Sequence, residues 1–104
     1  MLVHNVFFWM KKSAPKGAAK QTIQDALKYL NAPSVKHLWA GAPAKTEARD
    51  VVNATYDVGL TVTFDSVADH DAYQDDPQHQ VFIKRNKKNW LRVEVYDFQQ
   101  PRSR

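Results

Sequence analysis

The sequence contains no cysteine and only three glycines, and each shortage removes a class of chemistry. Without cysteine there is no disulfide framework, no thiolate metal centre and no cysteine nucleophile. Gly41 and Gly59 stand too far apart to share one phosphate-cradling loop, so nucleotide chemistry is not expected. No Ser/His/Asp order and no pair of carboxylates stands out. Long apolar runs are also missing: Leu2 to Met10 is the longest such stretch, is interrupted by His4 and Asn5, and falls far short of the ~20 residues that cross a bilayer. No membrane partner is expected. The charge is of neither sign to any great excess, with 15 Lys and Arg against 11 Asp and Glu. It is segregated instead, acidic from Asp65 to Asp76 and basic from Lys84 to Arg92. No stacking aromatics are interleaved with Lys84, Arg85, Lys87 and Lys88, so nucleic acid is not an expected partner. These cations read as charge relief at the end of a helix. The lack of cysteine and of a recognisable signal peptide suits a cytoplasmic protein.

What is present is one domain's worth of globular chain: 104 residues, 43% hydrophobic, with three Trp, four Tyr and five Phe. Leu2 to Met10 reads as a strand covered on both faces, with His4, Val6, Phe8 and Met10 on one side and Val3, Asn5, Phe7 and Trp9 on the other. Ala19, Ile23, Ala26, Leu27 and Leu30 recur at helical spacing from Ala18 to Leu30, before Pro33. A second strand is expected over Val35 to Ala40, followed by a long polar loop through Thr55. From Tyr56 to Phe64 apolar residues alternate with Asp57, Gly59, Thr61 and Thr63, giving a strand with one apolar face. Asp65 and Ser66 supply cap chemistry for a short helix to about Gln74, and Asp76-Pro77 starts another that runs to about Asn89. Leu91 to Phe98 completes the set, with Leu91, Val93, Val95 and Asp97 on one face and Arg92, Glu94, Tyr96 and Phe98 on the other.

This order predicts an α+β fold, the ferredoxin-like βαββαβ arrangement of an antiparallel sheet with helices on one face. A single domain is expected over residues 1–98, with a tail over 99–104 that frays after Pro101. Val3, Phe7, Trp9, Tyr96 and Phe98 lie on the face without helices, a larger aromatic patch than a monomer normally leaves in water. A homodimer joined sheet to sheet follows.

The segments "HNVFFWMKK", "YDVGLTVTFDS", "AYQDDPQHQVF" and "VYDF" resemble the stress-responsive dimeric alpha-beta barrel domain, often called Dabb, from about Leu2 to Phe98. The most specific part is Tyr73, Pro77 and His79 at that spacing, followed by Phe82 and later Asp97. The resemblance implies a dimeric barrel, in a family that includes plant stress-induced proteins and polyketide cyclases of the olivetolic acid cyclase type. A shared fold does not transfer a reaction.

At the third position of the helix capped by Asp76, His79 shares a face with Phe82, Ile83, Asn86 and Trp90 that looks toward the sheet. Val67, His70 and Tyr73 can share a side of the preceding helix, and His4 heads the helix-facing side of the first strand. His4, His70, Tyr73 and His79 are therefore expected to converge on a small-molecule pocket. Its walls are expected from Val6, Phe8, Leu27, Leu60, Val62, Val67, Phe82, Trp90, Val93 and Val95, and its occupant to be small and hydrophobic. The cyclase resemblance implies functional roles for Tyr73 as a hydrogen-bonding phenol and His79 as a general base beside a carbonyl. His4 is expected in the same catalytic group from its place on the first strand, and Asp97 is expected to orient one of the imidazoles. Val58 and His70 depart from the pocket residues of the cyclases, which alters the chemistry. Turnover by a cyclase, isomerase or lyase, binding without turnover, and a purely structural use of Tyr73 and His79 remain open alternatives. His4, His70 and His79 lack metal-motif spacing and a paired carboxylate ligand, so no metal and no cofactor is expected. His37 reads as an edge-strand surface residue.

Overall fold

Alternating Val and aromatic residues make Leu2–Met10 the strand β1. The computed structural model describes residues 1–101. There β1 is followed by α1 (Ala18–Tyr29), β2 (His37–Gly41), β3 (Val58–Phe64), α2 (Val67–Asp75), α3 (Pro77–Asn86), a 3-10 turn at Lys87–Asn89 and β4 (Trp90–Gln99). The strands form one antiparallel sheet in the order β2-β3-β1-β4, with β2 and β4 at its edges. This is the expected ferredoxin-like topology, with the second helical segment divided at Pro77.

The core lies between the sheet and the helices. Leu2, Val6 and Phe8 of β1 pack there with Val58, Leu60, Val62 and Phe64 of β3, Ala26 and Leu30 from α1 and its end, Tyr73 of α2 and Phe82 of α3. Register carries the same alternation into β4, because His4, Val6 and Phe8 stand opposite Asp97, Val95 and Val93. The caps follow the sequence chemistry. Ser66 accepts a hydrogen bond from the Asp69 amide, and Asp76 accepts one from Gln78 ahead of Pro77 at the first helical position.

Three element limits differ from the sequence expectation. Val35 belongs to a turn, its amide donating to the Ala32 carbonyl, so β2 begins at His37. The chain leaves the β3 ladder before Val58: the Asp57 amide donates to the Phe8 carbonyl and its carboxylate accepts from the Met10 amide at 2.7 Å. Tyr56 consequently does not continue the apolar face of β3. It crosses to the opposite side and sets its ring against Phe7 and Trp9. Gly59 makes room there, since a Cβ at that position would lie 3.3 Å from the Tyr56 ring. Finally, β4 extends through Gln99, and the Gln100 amide bonds to the Met1 carbonyl, so the expected tail is ordered past residue 98. The remainder of the tail that was expected to fray, residues 102–104, lies outside the described residues.

The docking of α1 on α3 uses polar chemistry that an apolar count does not reveal. Asp25 is buried and accepts from Arg85 Nε at 2.8 Å and Asn86 Nδ2 at 3.0 Å, while Asn86 also donates to the Phe82 carbonyl. Arg85 therefore does more than offset the helix dipole.

Candidate functional site

Beneath α2 and α3, next to β4, the helix side of the sheet holds a cavity of about 150 Å³. His4, Val6, Phe8, Leu60, Tyr73, His79, Phe82, Trp90, Val93 and Val95, all named in the sequence analysis, line it. Leu30, Gln74 and Ile83 complete the lining. Leu30 and Ile83 belong to apolar faces that the sequence shows, whereas Gln74 carries no signal beyond following Tyr73.

Four expected members lie elsewhere. Leu27 is 48% exposed, because at about 100° per residue it sits roughly a quarter turn from the buried Ala26 and away from Thr22. Val67 is 50% exposed for the same reason: two steps of three residues separate it from Tyr73, leaving it about 120° off the buried line of α2. Val62 is fully buried in the core, between its partners His4 and Leu38 in the ladder, without reaching the cavity. His70 lies outside the lining but against its polar end, its ring 4.9 Å from that of His4.

The polar end is a cluster of four rings and a carboxylate. His4 is buried and its Nδ1 stands 2.5 Å from Asp97 Oδ1. Tyr73 lies edge-on to His79 with ring centres 4.8 Å apart, and 6.0 Å from the His4 ring. Burial lowers the basicity of His4 despite the opposing hydrogen bond and charge of Asp97, and His70 nearby adds to the lowering. Burial likewise lowers the pKa of His79, assisted by His4 and His70 and opposed by Asp76. In both cases burial disfavours the imidazolium, and His4 Nδ1–H donates to the Asp97 carboxylate. His79 Nδ1 is buried without a hydrogen-bond partner among the described residues. The Tyr73 phenol is driven upward in pKa by burial, so it stays protonated and able to donate. Together these groups offer a proton acceptor and a hydrogen-bond donor beside an apolar space.

The opposite face of the sheet is aromatic and open. Tyr96 and Phe98 are each 58% exposed, and Trp39 is equally bare, with the exposed His37 ring stacked on it. Phe7, Trp9 and Tyr56 pack together beside them, and Arg92 lies 3.9 Å above the Trp9 ring.

The profile of the stress responsive A/B barrel domain matches residues 2–100, nearly the full chain. The chain belongs to this family. Solved structures agree on the fold of this A/B barrel protein. A dimeric ferredoxin-like protein of unknown function from Thermobifida fusca superposes with a TM-score of 0.78 at 19% identity, over 95% of this chain and 90% of that one. A Dabb family protein with a ferredoxin-like fold from Mesorhizobium loti gives 0.73 at 23% identity, over 95% of both chains. A hydroxynitrile lyase from Passiflora edulis gives 0.71, also at 23% identity, over 93% of this chain and 90% of that enzyme. No curated protein matches the A/B barrel chain in sequence.

Proposed function

We propose that this A/B barrel protein is a homodimer that binds one small, largely apolar molecule per subunit in the cavity between sheet and helices. The observation that carries this reading is the combination of an apolar lining with His79 and Tyr73 at one end. A space of about 150 Å³ matches the volume of engineered cavities that take up benzene, so a single ring with one polar substituent is the expected size of occupant. The homodimer is supported by the exposed aromatics of the open face and by the dimeric description of the Thermobifida fusca structure.

Aromatic ketones such as acetophenone are suitable probes, with a ring for the apolar walls and an oxygen for the Tyr73 hydroxyl. Thermal shift tests this directly, since a ligand at about 100 times its Kd adds about 2.7 kcal/mol to the stability of the state that binds it. Stabilisation should disappear in Ile83→Trp, which fills the space from one wall. If Ile83→Trp remains folded and acetophenone stabilises it as it does the parent, the cavity is not the binding site.

The placement of His79 in the lining, edge-on to Tyr73 and with its imidazolium disfavoured by burial, favours a second reading, proton transfer at a carbon beside a carbonyl. The C–H bond would break with its proton passing to His79, while Tyr73 donates to the developing enolate oxygen; return of the proton restores the ring. Exchange of the methyl protons of acetophenone in D₂O, followed by NMR, measures this without knowledge of the natural substrate. Exchange at the parent rate in both His79→Gln and Tyr73→Phe would sink the mechanism.

A further inference from the structure

We propose that His4, His70 and Asp97 form a binding site for a divalent transition-metal ion, Zn²⁺ being the best fit, at the polar end of the cavity. The three residues are remote in sequence and none belongs to a metal-binding motif. The fold nevertheless brings one ligand atom from each within 4.8 Å of the other two. Asp97 is the carboxylate that the sequence spacing does not pair with the histidines, and the β1/β4 register delivers it directly opposite His4.

The donor set and its surroundings suit such an ion. Two imidazoles and one carboxylate match the preference of Zn²⁺ for nitrogen and oxygen ligands, and three protein donors leave a position for water or for an oxygen atom of a cavity occupant. Zn²⁺ sits about 2.0–2.2 Å from such ligands, so tetrahedral donors are about 3.4 Å apart. Movements of about 1 Å would open the His4–Asp97 pair and draw His70 inward. Asp97, 40% exposed in its side chain, and the half-buried His70 have room for them. His4 would ligate as the neutral imidazole. On binding, its ring proton stays on whichever nitrogen does not contact the ion.

His70 has one supporting contact of the kind a metal-bound imidazole uses, on Nδ1, and one weak competitor on Nε2. Its Nδ1 is 3.2 Å from Asp71 Oδ1, and its Nε2 faces the Gln74 amide at 3.4 Å. A proton on Nδ1 donated to Asp71 leaves the Nε2 lone pair available, the carboxylate–histidine arrangement that orients metal ligands and raises their basicity. The long contact to Gln74 is weak and readily given up.

The site is tested with the ion alone, independently of any organic occupant of the cavity. Metal-free full-length protein is titrated with CoCl₂ and followed by visible absorption, then challenged with ZnCl₂. One Co²⁺ per chain is expected, displaced by Zn²⁺. Affinity should fall about 100-fold or more in His70→Ala and in Asp97→Asn, beyond the loss of an outer-shell partner, and be unchanged in His37→Ala, which removes the exposed histidine of β2. Circular dichroism confirms that each variant is folded, and His70→Ala alone decides the matter if Asp97→Asn is not. Failure of the parent to take up stoichiometric cobalt, parent-like binding by folded His70→Ala, or a loss that instead follows His37→Ala would each overturn the proposal.

Discussion

His4 and Asp97 face each other across β1 and β4 and join Nδ1 to Oδ1 at 2.5 Å, although 93 residues separate them in the chain. Directly opposed residues of an antiparallel pair have Cβ atoms about 5 Å apart, so backbone pairing brings these side chains together before any contact forms. A hydrogen bond to a charged group contributes about 1.5–3 kcal/mol when shielded. The 40% exposure of the Asp97 side chain reduces that here. Asp97→Ala is therefore expected to lower stability by about 1 kcal/mol in urea denaturation, through loss of the carboxylate and not of the strand. A destabilisation no larger than that of Gln99→Ala, on the same edge strand, would show that the pair adds nothing.

Acid should weaken the fold through His4 and His79. Both are held below the ordinary value of 6.5 in the native state. Between their native values and 6.5 the unfolded chain binds more protons, so stability falls as pH drops through that window and is fully regained above it. Melting temperature should decline as the pH is lowered through and below 6.5, and His79→Gln should flatten the decline. A pH profile in His79→Gln as steep as in the parent would remove His79 as a source of the effect.

The Asp25–Arg85 contact is expected to matter more than an ordinary surface ion pair. Burial would push the Asp25 carboxyl upward, but hydrogen bonds from Arg85 and Asn86 outweigh it and hold the pKa below normal. Removing Arg85 leaves a buried carboxylate with Asn86 as its remaining side-chain donor. Because Arg85 itself is half exposed, Arg85→Ala should lower the urea unfolding midpoint measurably, but by less than removing one member of a fully buried pair. The double variant Arg85→Ala/Asp25→Asn should recover part of that loss, and equal unfolding midpoints for the single and double variants would contradict the coupling.

Phe98→Glu should convert the proposed dimer to monomer without unfolding it. Phe98 is on an edge strand, points away from the helices and is well exposed in the single chain, so a charge there meets water in a monomer and an apolar surface in the dimer. Light scattering at micromolar concentration measures the change. A monomeric parent would refute the assembly at once.

Much of this molecule is legible in the sequence, for reasons that can be stated residue by residue. Period-two alternation assigned His4, Val6 and Phe8 to one side of β1 and Phe7 and Trp9 to the other, and cap chemistry at Ser66 and Asp76 located both later helices. Helical periodicity was less exact. Apolar identity alone points Leu27 and Val67 inward, whereas angular position does not, and the buried Thr22 and Asp25 occupy the line that α1 presents to its neighbours. Tyr56 was misplaced because no local pattern shows that the strand pairing ends at Asp57. The convergence of His4 and His70 is legible from their faces, but which imidazole meets Asp97 is not: that depends on the β1/β4 register, which distant contacts settle.

Because alternate side chains of β1 serve opposite faces, two tasks are interleaved in nine residues: His4, Val6 and Phe8 form the floor of the cavity, and Phe7 and Trp9 belong to the aromatic surface. A point substitution can disturb one and spare the other. Deleting a single residue from the middle of β1, such as Val6, would invert the parity of one half of the strand relative to the other, so both tasks would suffer from one lesion.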